Sequence, residues 1–216
     1  SLILPPQDIF SRMVALNDTT VWITGGFGNS SLSILVNPME NRILYGPKLR
    51  RGVIDHCMVN IDGNNVFIIS GDQHHHKDLR HTQVYTFSSN VWQDGPDLLQ
   101  TALVPACALV TLSSGKRIIV VADDLTTQYL ELGAGTGWRY GPPIPYYIPQ
   151  PTMVPIDDNG SALLFGFGTG TKILRYNCSN GSPNNCSWVE LDLQLPFEAV
   201  GPVTMLIPDE IAPSCN

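Results

Sequence analysis

Charge is what this sequence has least of: Asp, Glu, Lys and Arg together make up 14% of its 216 residues. Lys and Glu, which fill the solvent face of helices, are scarce, and no stretch beyond about ten residues keeps a helical apolar period. Long surface helices are excluded. No run of eighteen apolar residues occurs, so no helix of this chain spans a bilayer. The 12 basic residues are outnumbered by 19 acidic ones, a net charge of −7, and this argues against a nucleic-acid surface built on clustered Lys and Arg. Signatures of catalysis are missing too: there is no Gly-x-Ser-x-Gly, no His-Glu-x-x-His and no Walker loop. Gly166-Phe167-Gly168-Thr169-Gly170 is rich in glycine but follows no βαβ pattern, which makes a dinucleotide loop a poor reading. An initiator Met and a signal peptide are also lacking, and the chain reads as processed or partial.

What is present points one way. The hydrophobic fraction is an ordinary 43%, beside 19 Gly and 17 Pro. Many short strands joined by tight turns fit that balance, and helices do not. Acceptor triplets Asn-x-Ser/Thr begin at Asn17, Asn29, Asn159, Asn177, Asn180 and Asn185, each in a turn-like segment or at a strand end. Asn180 is the weakest of them, because Pro183 follows closely. Cys178 and Cys186 bracket a polar tip, Ser179-Asn180-Gly181-Ser182-Pro183-Asn184-Asn185, and a disulfide closing so short a loop belongs to an oxidising compartment. The expectation is a secreted, extracellular glycoprotein.

Internal repetition organises the rest. Four segments end alike: Arg42-Ile43-Leu44-Tyr45-Gly46-Pro47, Val91-Trp92-Gln93-Asp94-Gly95-Pro96, Gly137-Trp138-Arg139-Tyr140-Gly141-Pro142, and the more divergent Ser187-Trp188-Val189-Glu190. Trp92 and Trp138 are 46 residues apart and Trp138 and Trp188 are 50 apart, with Ile43 in the Trp place 49 residues before Trp92. Three strand-like runs precede each ending. In the second copy they are Cys57–Ile61, Val66–Gly71 and Gln83–Phe87. The others are Met13–Leu16, Val21–Gly26 and Leu32–Val36; Ala108–Leu112, Ile118–Ala122 and Gln128–Leu132; Thr152–Ile156, Ala162–Gly168 and Ile173–Asn177. Four short antiparallel strands in a unit of nearly fifty residues make one propeller blade.

Gly25-Gly26 at the end of a second strand, with Tyr85 before Trp92, Tyr129 before Trp138 and Tyr176 before Trp188, resembles the kelch repeat. The resemblance covers nearly the whole chain in degenerate form: the double glycine becomes Ser70-Gly71, is lost at Ala122-Asp123, and becomes Gly166-Phe167-Gly168. It implies an all-β, kelch-like β-propeller with four complete four-stranded blades, at about 13–49, 57–98, 107–144 and 152–196. The glycines would let the chain leave strand two without striking a neighbour, and Tyr and Trp would fill the wedge between blades.

Leu2–Leu4 matches the tail of a fourth strand and Gly201–Ile207 matches a first strand, so 1–12 and 201–208 read as parts of a shared closing blade. Its two middle strands are then to be supplied by an N-terminal segment preceding Ser1 or by a neighbouring protomer, the latter giving an open, fibre-forming assembly. Cys215 pairs with that missing piece, or remains a free or intermolecular thiol. Cys57 and Cys107 open first strands of successive blades and either bridge them or stay reduced.

Polar clusters are few. His74 and His76, with His81 nearby, are weak candidates for metal ligands, in a loop where sequence drifts freely. Asp123-Asp124 and Asp157-Asp158 read first as turn residues that bond their own backbone, and second as calcium ligands. Asp8, Asp55, His56 and Glu198 fall between fourth and first strands, at the end of a propeller where ligands collect, and are candidates for contact. The leading expectation is a non-catalytic extracellular protein that binds protein or glycan or builds a matrix, with no cofactor. The alternative that the kelch resemblance implies is a secreted copper-radical oxidase, though no His and Tyr ligand set stands out.

Overall fold

The computed structural model describes residues 10–71, 79–157, 159–166 and 172–194, and its strands form four separate four-stranded antiparallel sheets in a four-blade propeller arrangement. Blade 1 is β1 (Arg12–Asn17), β2 (Thr20–Thr24), β3 (Ser33–Asn37) and β4 (Arg42–Tyr45). Blade 2 is β5 (Cys57–Asn60), β6 (Asn65–Ile69), β7 (Thr82–Thr86) and β8 (Val91–Asp94). Blade 3 is β9 (Ala106–Thr111), β10 (Arg117–Asp123), β11 (Thr126–Glu131) and β12 (Arg139–Tyr140). Blade 4 is β13 (Pro151–Pro155), β14 (Ser161–Gly166), β15 (Lys172–Cys178) and β16 (Cys186–Gln194). Within each blade the strands pair in chain order, and the first strands pack in series, β1 on β5, β5 on β9 and β9 on β13.

Second strands are covered on both sides, which explains their unbroken apolar runs. In β10, Ile119 and Val121 join Val59, Ile69 and Trp138 in the core between blades 2 and 3. Ile118, Val120 and Ala122 face the other way, into the core shared with Leu164, Leu174 and Tyr176 of blade 4. A third core joins Trp22 of blade 1 to Met58, Val66 and Tyr85 of blade 2. The fourth cluster, Ile23, Ile34 and Val36 with Val21 and Leu32, belongs to blade 1 alone.

The repeated Gly-Pro ending has a physical partner that the sequence did not advertise, a small hydroxyl residue at the start of strand three. Gly46, Gly95 and Gly141 donate their N–H groups to the carbonyls of Ser33, Thr82 and Thr127 at 2.8, 2.9 and 2.8 Å. A Cβ on Gly95 or Gly141 would stand 3.3 Å from Thr82 Cβ or 3.0 Å from Thr127 Cγ2. Blades 1, 2 and 3 are thereby closed at this corner. The next blade's Trp then reaches back to that corner: Trp138 Nε1 donates to Pro96 O at 2.8 Å and Trp188 Nε1 donates to Thr127 Oγ1 at 2.8 Å. The glycine pair behaves as expected. Gly25 and Gly71 have φ of +67° and +93°, and a Cβ on either would lie 2.8 Å from a carbon of His56.

One repeat mark fills a different wedge because of its register. Tyr85 pairs with Trp92 and Tyr176 with Trp188, and both pairs face the preceding blade. Tyr129 pairs with Arg139, not with Trp138, and so faces forward into blade 4, where its hydroxyl donates to Asn184 Oδ1 at 2.8 Å. A shift of one residue reverses the face of a strand, and Leu130 takes the backward-facing place beside Trp138. Ile43, by contrast, pairs with Val36 and holds the Trp position as expected.

Both bridgeable cysteine pairs are disulfides. Cys57–Cys107 joins the first strands of blades 2 and 3 with Cα atoms 5.9 Å apart, and Cys178–Cys186 closes the β15–β16 tip at 4.0 Å. Cys215 and the segments 1–9 and 195–216, which carry the closing-blade expectation, lie outside the described residues.

Candidate ligand-binding cleft

Antiparallel pairing gives the propeller two chemically different ends. Turns joining first to second and third to fourth strands lie at one end. Loops joining second to third strands, and each blade to the next, lie at the other. Asn17 follows this rule at the β1–β2 turn, Asn159 at β13–β14, and Asn177, Asn180 and Asn185 at β15–β16, so five of the six triplets share the first end. Asn29, in the β2–β3 loop, is at the second. All are exposed except Asn177, whose Oδ1 accepts from the Ser161 hydroxyl at 3.3 Å.

The second end carries a cleft of about 810 Å³ above blade 3. Three segments wall it: Gln100–Val104 on the way from blade 2 to blade 3, the Asp123-Asp124 turn, and Tyr147–Gln150 on the way to blade 4. The walls are fixed from beneath. Gln128 is buried, accepts from the N–H groups of Leu99 and Gln100 at 2.7 and 3.1 Å, and donates to Gln100 O at 3.0 Å. Gln83 holds Arg51 in the same manner one blade earlier. Asp123 Oδ2 accepts from Leu103 N at 2.7 Å. Burial pushes the Asp123 carboxyl up from its ordinary value, while the Leu103 and Val104 N–H groups pull it down. The absent double glycine of blade 3 thus has a use, since Asp123 takes hold of the entering loop by side chain where glycine would only make room for it.

Neither a protein-family model nor a curated protein matches this chain. The cleft is therefore judged on its own chemistry. Its described lining supplies two carboxylates, the amides of Gln100 and Gln150, the Thr101 hydroxyl and the exposed ring of Tyr147, with no Lys, Arg or His among the described residues. Sequence reasoning had weighed Asp123-Asp124 only as turn residues or calcium ligands. It missed Tyr147, Gln100 and the buried glutamines; the recurring Thr82-Gln83 and Thr127-Gln128 dipeptides were the available signal.

Other candidates fare differently. His81 is buried, with Nε2 3.5 Å from Asp94 Oδ1 and Nδ1 3.7 Å from Asp97 Oδ1, and Asp94 also pairs with Arg50 at 3.2 Å. Among the described residues no group of three His, Cys, Asp or Glu side chains is arranged to hold a metal ion. His74 and His76 lie outside the described residues, as do Asp8, Glu198 and Asp158. Asp157 does what a turn aspartate does, accepting from Asn159 N at 2.9 Å and Ser161 N at 3.1 Å. Asp55 pairs with Arg12 at 3.5 Å.

His56 is not available for contact, which corrects the expectation for it. It is fully buried beneath Gly25 and Gly71, with Nε2 2.8 Å from Thr24 Oγ1. The Thr24 hydroxyl in turn donates to Met58 Sδ at 3.0 Å, so Nε2 carries the ring proton and donates to Thr24. Nδ1 is left buried with no partner among the described residues. Burial first, and then the nearby Arg12 charge, lower the His56 pKa to about 3. The unfolded chain binds this proton near pH 6.5, so stability is complete above that value and is lost as pH falls toward 3. Between pH 7 and pH 5 His56 alone is expected to remove about 2 kcal/mol. Urea unfolding of wild type and His56→Asn at both pH values checks this: the variant should lose less over the interval, and parallel losses would refute the assignment.

Proposed function

We propose that this chain is a secreted, glycosylated, kelch-like propeller that works by binding, without catalysis, through the end that carries the cleft. The observation that carries this reading is the segregation of five acceptor triplets at one end from the cleft at the other. Glycans on the first end would leave the second as the accessible protein surface. The two disulfides support an oxidising compartment, and the Trp-to-preceding-corner bonds, the glycine pair and the blade spacing support the kelch assignment. Secretion from a eukaryotic host, followed by enzymatic glycan removal and mass mapping of the converted asparagines, is expected to mark Asn17, Asn159 and Asn185. Secreted protein with no glycan, or with glycan at Asn29 alone, would overturn it.

The same reading has a shared closing blade between blade 4 and blade 1, its middle strands supplied by another segment of the protein or by a neighbouring protomer. In blades 2, 3 and 4 the face bearing the Trp position packs on the preceding blade. In blade 1 that face holds Val36 and Ile43, with the exposed Met13 and Tyr45 in the adjoining row, and its apolar cluster takes no residue from another blade among the described residues. The intact, non-reduced, deglycosylated mass of native material is expected to exceed 23.6 kDa. A mass equal to this chain would transfer the role to a neighbouring protomer.

A further inference from the structure

We infer that the cleft above blade 3 is a site for a neutral saccharide; the inference rests on the binding reading just given and names the ligand class. The cleft volume of about 810 Å³ lies within the range of about 300–1,000 Å³ of small-ligand sites. Its walls are preorganised, because Gln128 and Asp123 pin Gln100 and Leu103 through the backbone. Little ordering is then left for the ligand to impose.

The lining decides between ligand classes by charge. Among the described lining residues an anionic ligand, such as a sialylated or sulfated glycan or a phosphate, would meet two carboxylates and no cation. A cationic side chain would need those carboxylates free, yet Asp123 already accepts backbone N–H groups from Leu103 and Val104. Among the described residues one uncommitted carboxylate remains in the lining, Asp124, beside two amides and a hydroxyl. That set suits a ring of neutral hydroxyls: ionised acceptors bond hydroxyl donors strongly, and the amides of Gln100 and Gln150 both donate and accept. Tyr147, 59% exposed at the rim, offers a ring face whose negative quadrupole attracts the C–H face of a pyranose. Leu103, 54% exposed and also lining the cleft, adds apolar area that a sugar ring can cover. The site also sits where blade 3 departs from the glycine-pair rule, and local departures from a fold's own pattern gather at functional sites.

The test is a panel of neutral trisaccharides built from glucose, mannose, galactose and N-acetylglucosamine, with sialylated, sulfated and oligolysine probes beside them, measured by calorimetry and saturation-transfer NMR on the full deglycosylated chain. At least one neutral trisaccharide is expected to bind. Tyr147→Ala and Asp124→Asn should each weaken it at least tenfold, while Tyr140→Ala, an exposed tyrosine outside the cleft, should leave it unchanged. Binding restricted to charged probes, no binding of any neutral probe, or neutral binding untouched by both cleft variants would overturn the inference. None of these results would bear on the glycan mapping that tests the broader reading.

Discussion

Replacing Cys57 and Cys107 together by alanine is expected to lower the stability of the fold by about 4 kcal/mol, read in urea unfolding as a lower midpoint with a steeper slope, because the unbridged denatured state is more expanded. The bridge spans a sequence separation of 50 residues, and the chain-entropy account makes the denatured state pay for a loop of that length. Its position adds a second reason. It joins the innermost strands of blades 2 and 3, and Cys57 is buried in the core between those blades beside Val59, Ile119 and Val121. Removing Cys178–Cys186, with a separation of 8, should cost less, about 2.5 kcal/mol. That tip is held otherwise as well, through the Ser114 hydroxyl donating to Gly181 O at 2.7 Å and the Tyr129–Asn184 bond. Equal costs for the two bridges, or a larger one for the short loop, would refute the loop-length argument.

The blades were legible because propeller repetition writes itself at a fixed spacing. Val91-Trp92 through Gly95-Pro96 announced a strand and its exit turn, and the structure gives β8 at the same residues. The face each side chain takes was less legible. Tyr129 sits one register place away from Tyr85 and Tyr176, and a tyrosine near a tryptophan in sequence carries no record of which side of the strand it leaves. The cleft was hardly legible at all. Gln100, Asp124 and Tyr147 come from three separated turns, each with ordinary turn composition, and only the stacking of blade 2 on blade 3 and blade 3 on blade 4 gathers them. His56 shows the converse failure. Its place between a fourth and a first strand suggested exposure, but the two glycines above it let the backbone close over its ring.

Trp22 is the other residue whose loss should be felt most, although no repeat mark singled it out. Trp22 leaves strand two on the face opposite Ile43, toward blade 2, and shares the wedge between blades 1 and 2 with Trp92. Trp22 is fully buried, and its ring lies 5.1 Å from Phe87, 5.6 Å from Tyr85 and 6.0 Å from Trp92, centroid to centroid. Its indole N–H donates to Ser33 Oγ, the hydroxyl residue at the start of strand three that recurs as Thr82 and Thr127. Trp22→Ala therefore removes the centre of an aromatic cluster contributed by two blades, and the expected loss is about 4 kcal/mol. Phenylalanine separates packing from hydrogen bonding. Trp22→Phe keeps most of the ring contact but leaves the buried Ser33 hydroxyl without its donor, an expected cost of about 1–3 kcal/mol. Trp92→Phe should be far milder, because Trp92 Nε1 is buried with no acceptor among the described residues and its removal relieves a desolvated donor. Equilibrium unfolding of the three variants orders them. A Trp92→Phe protein as destabilised as Trp22→Phe would mean that ring volume alone holds blades 1 and 2 together, and that the Trp22–Ser33 bond contributes nothing.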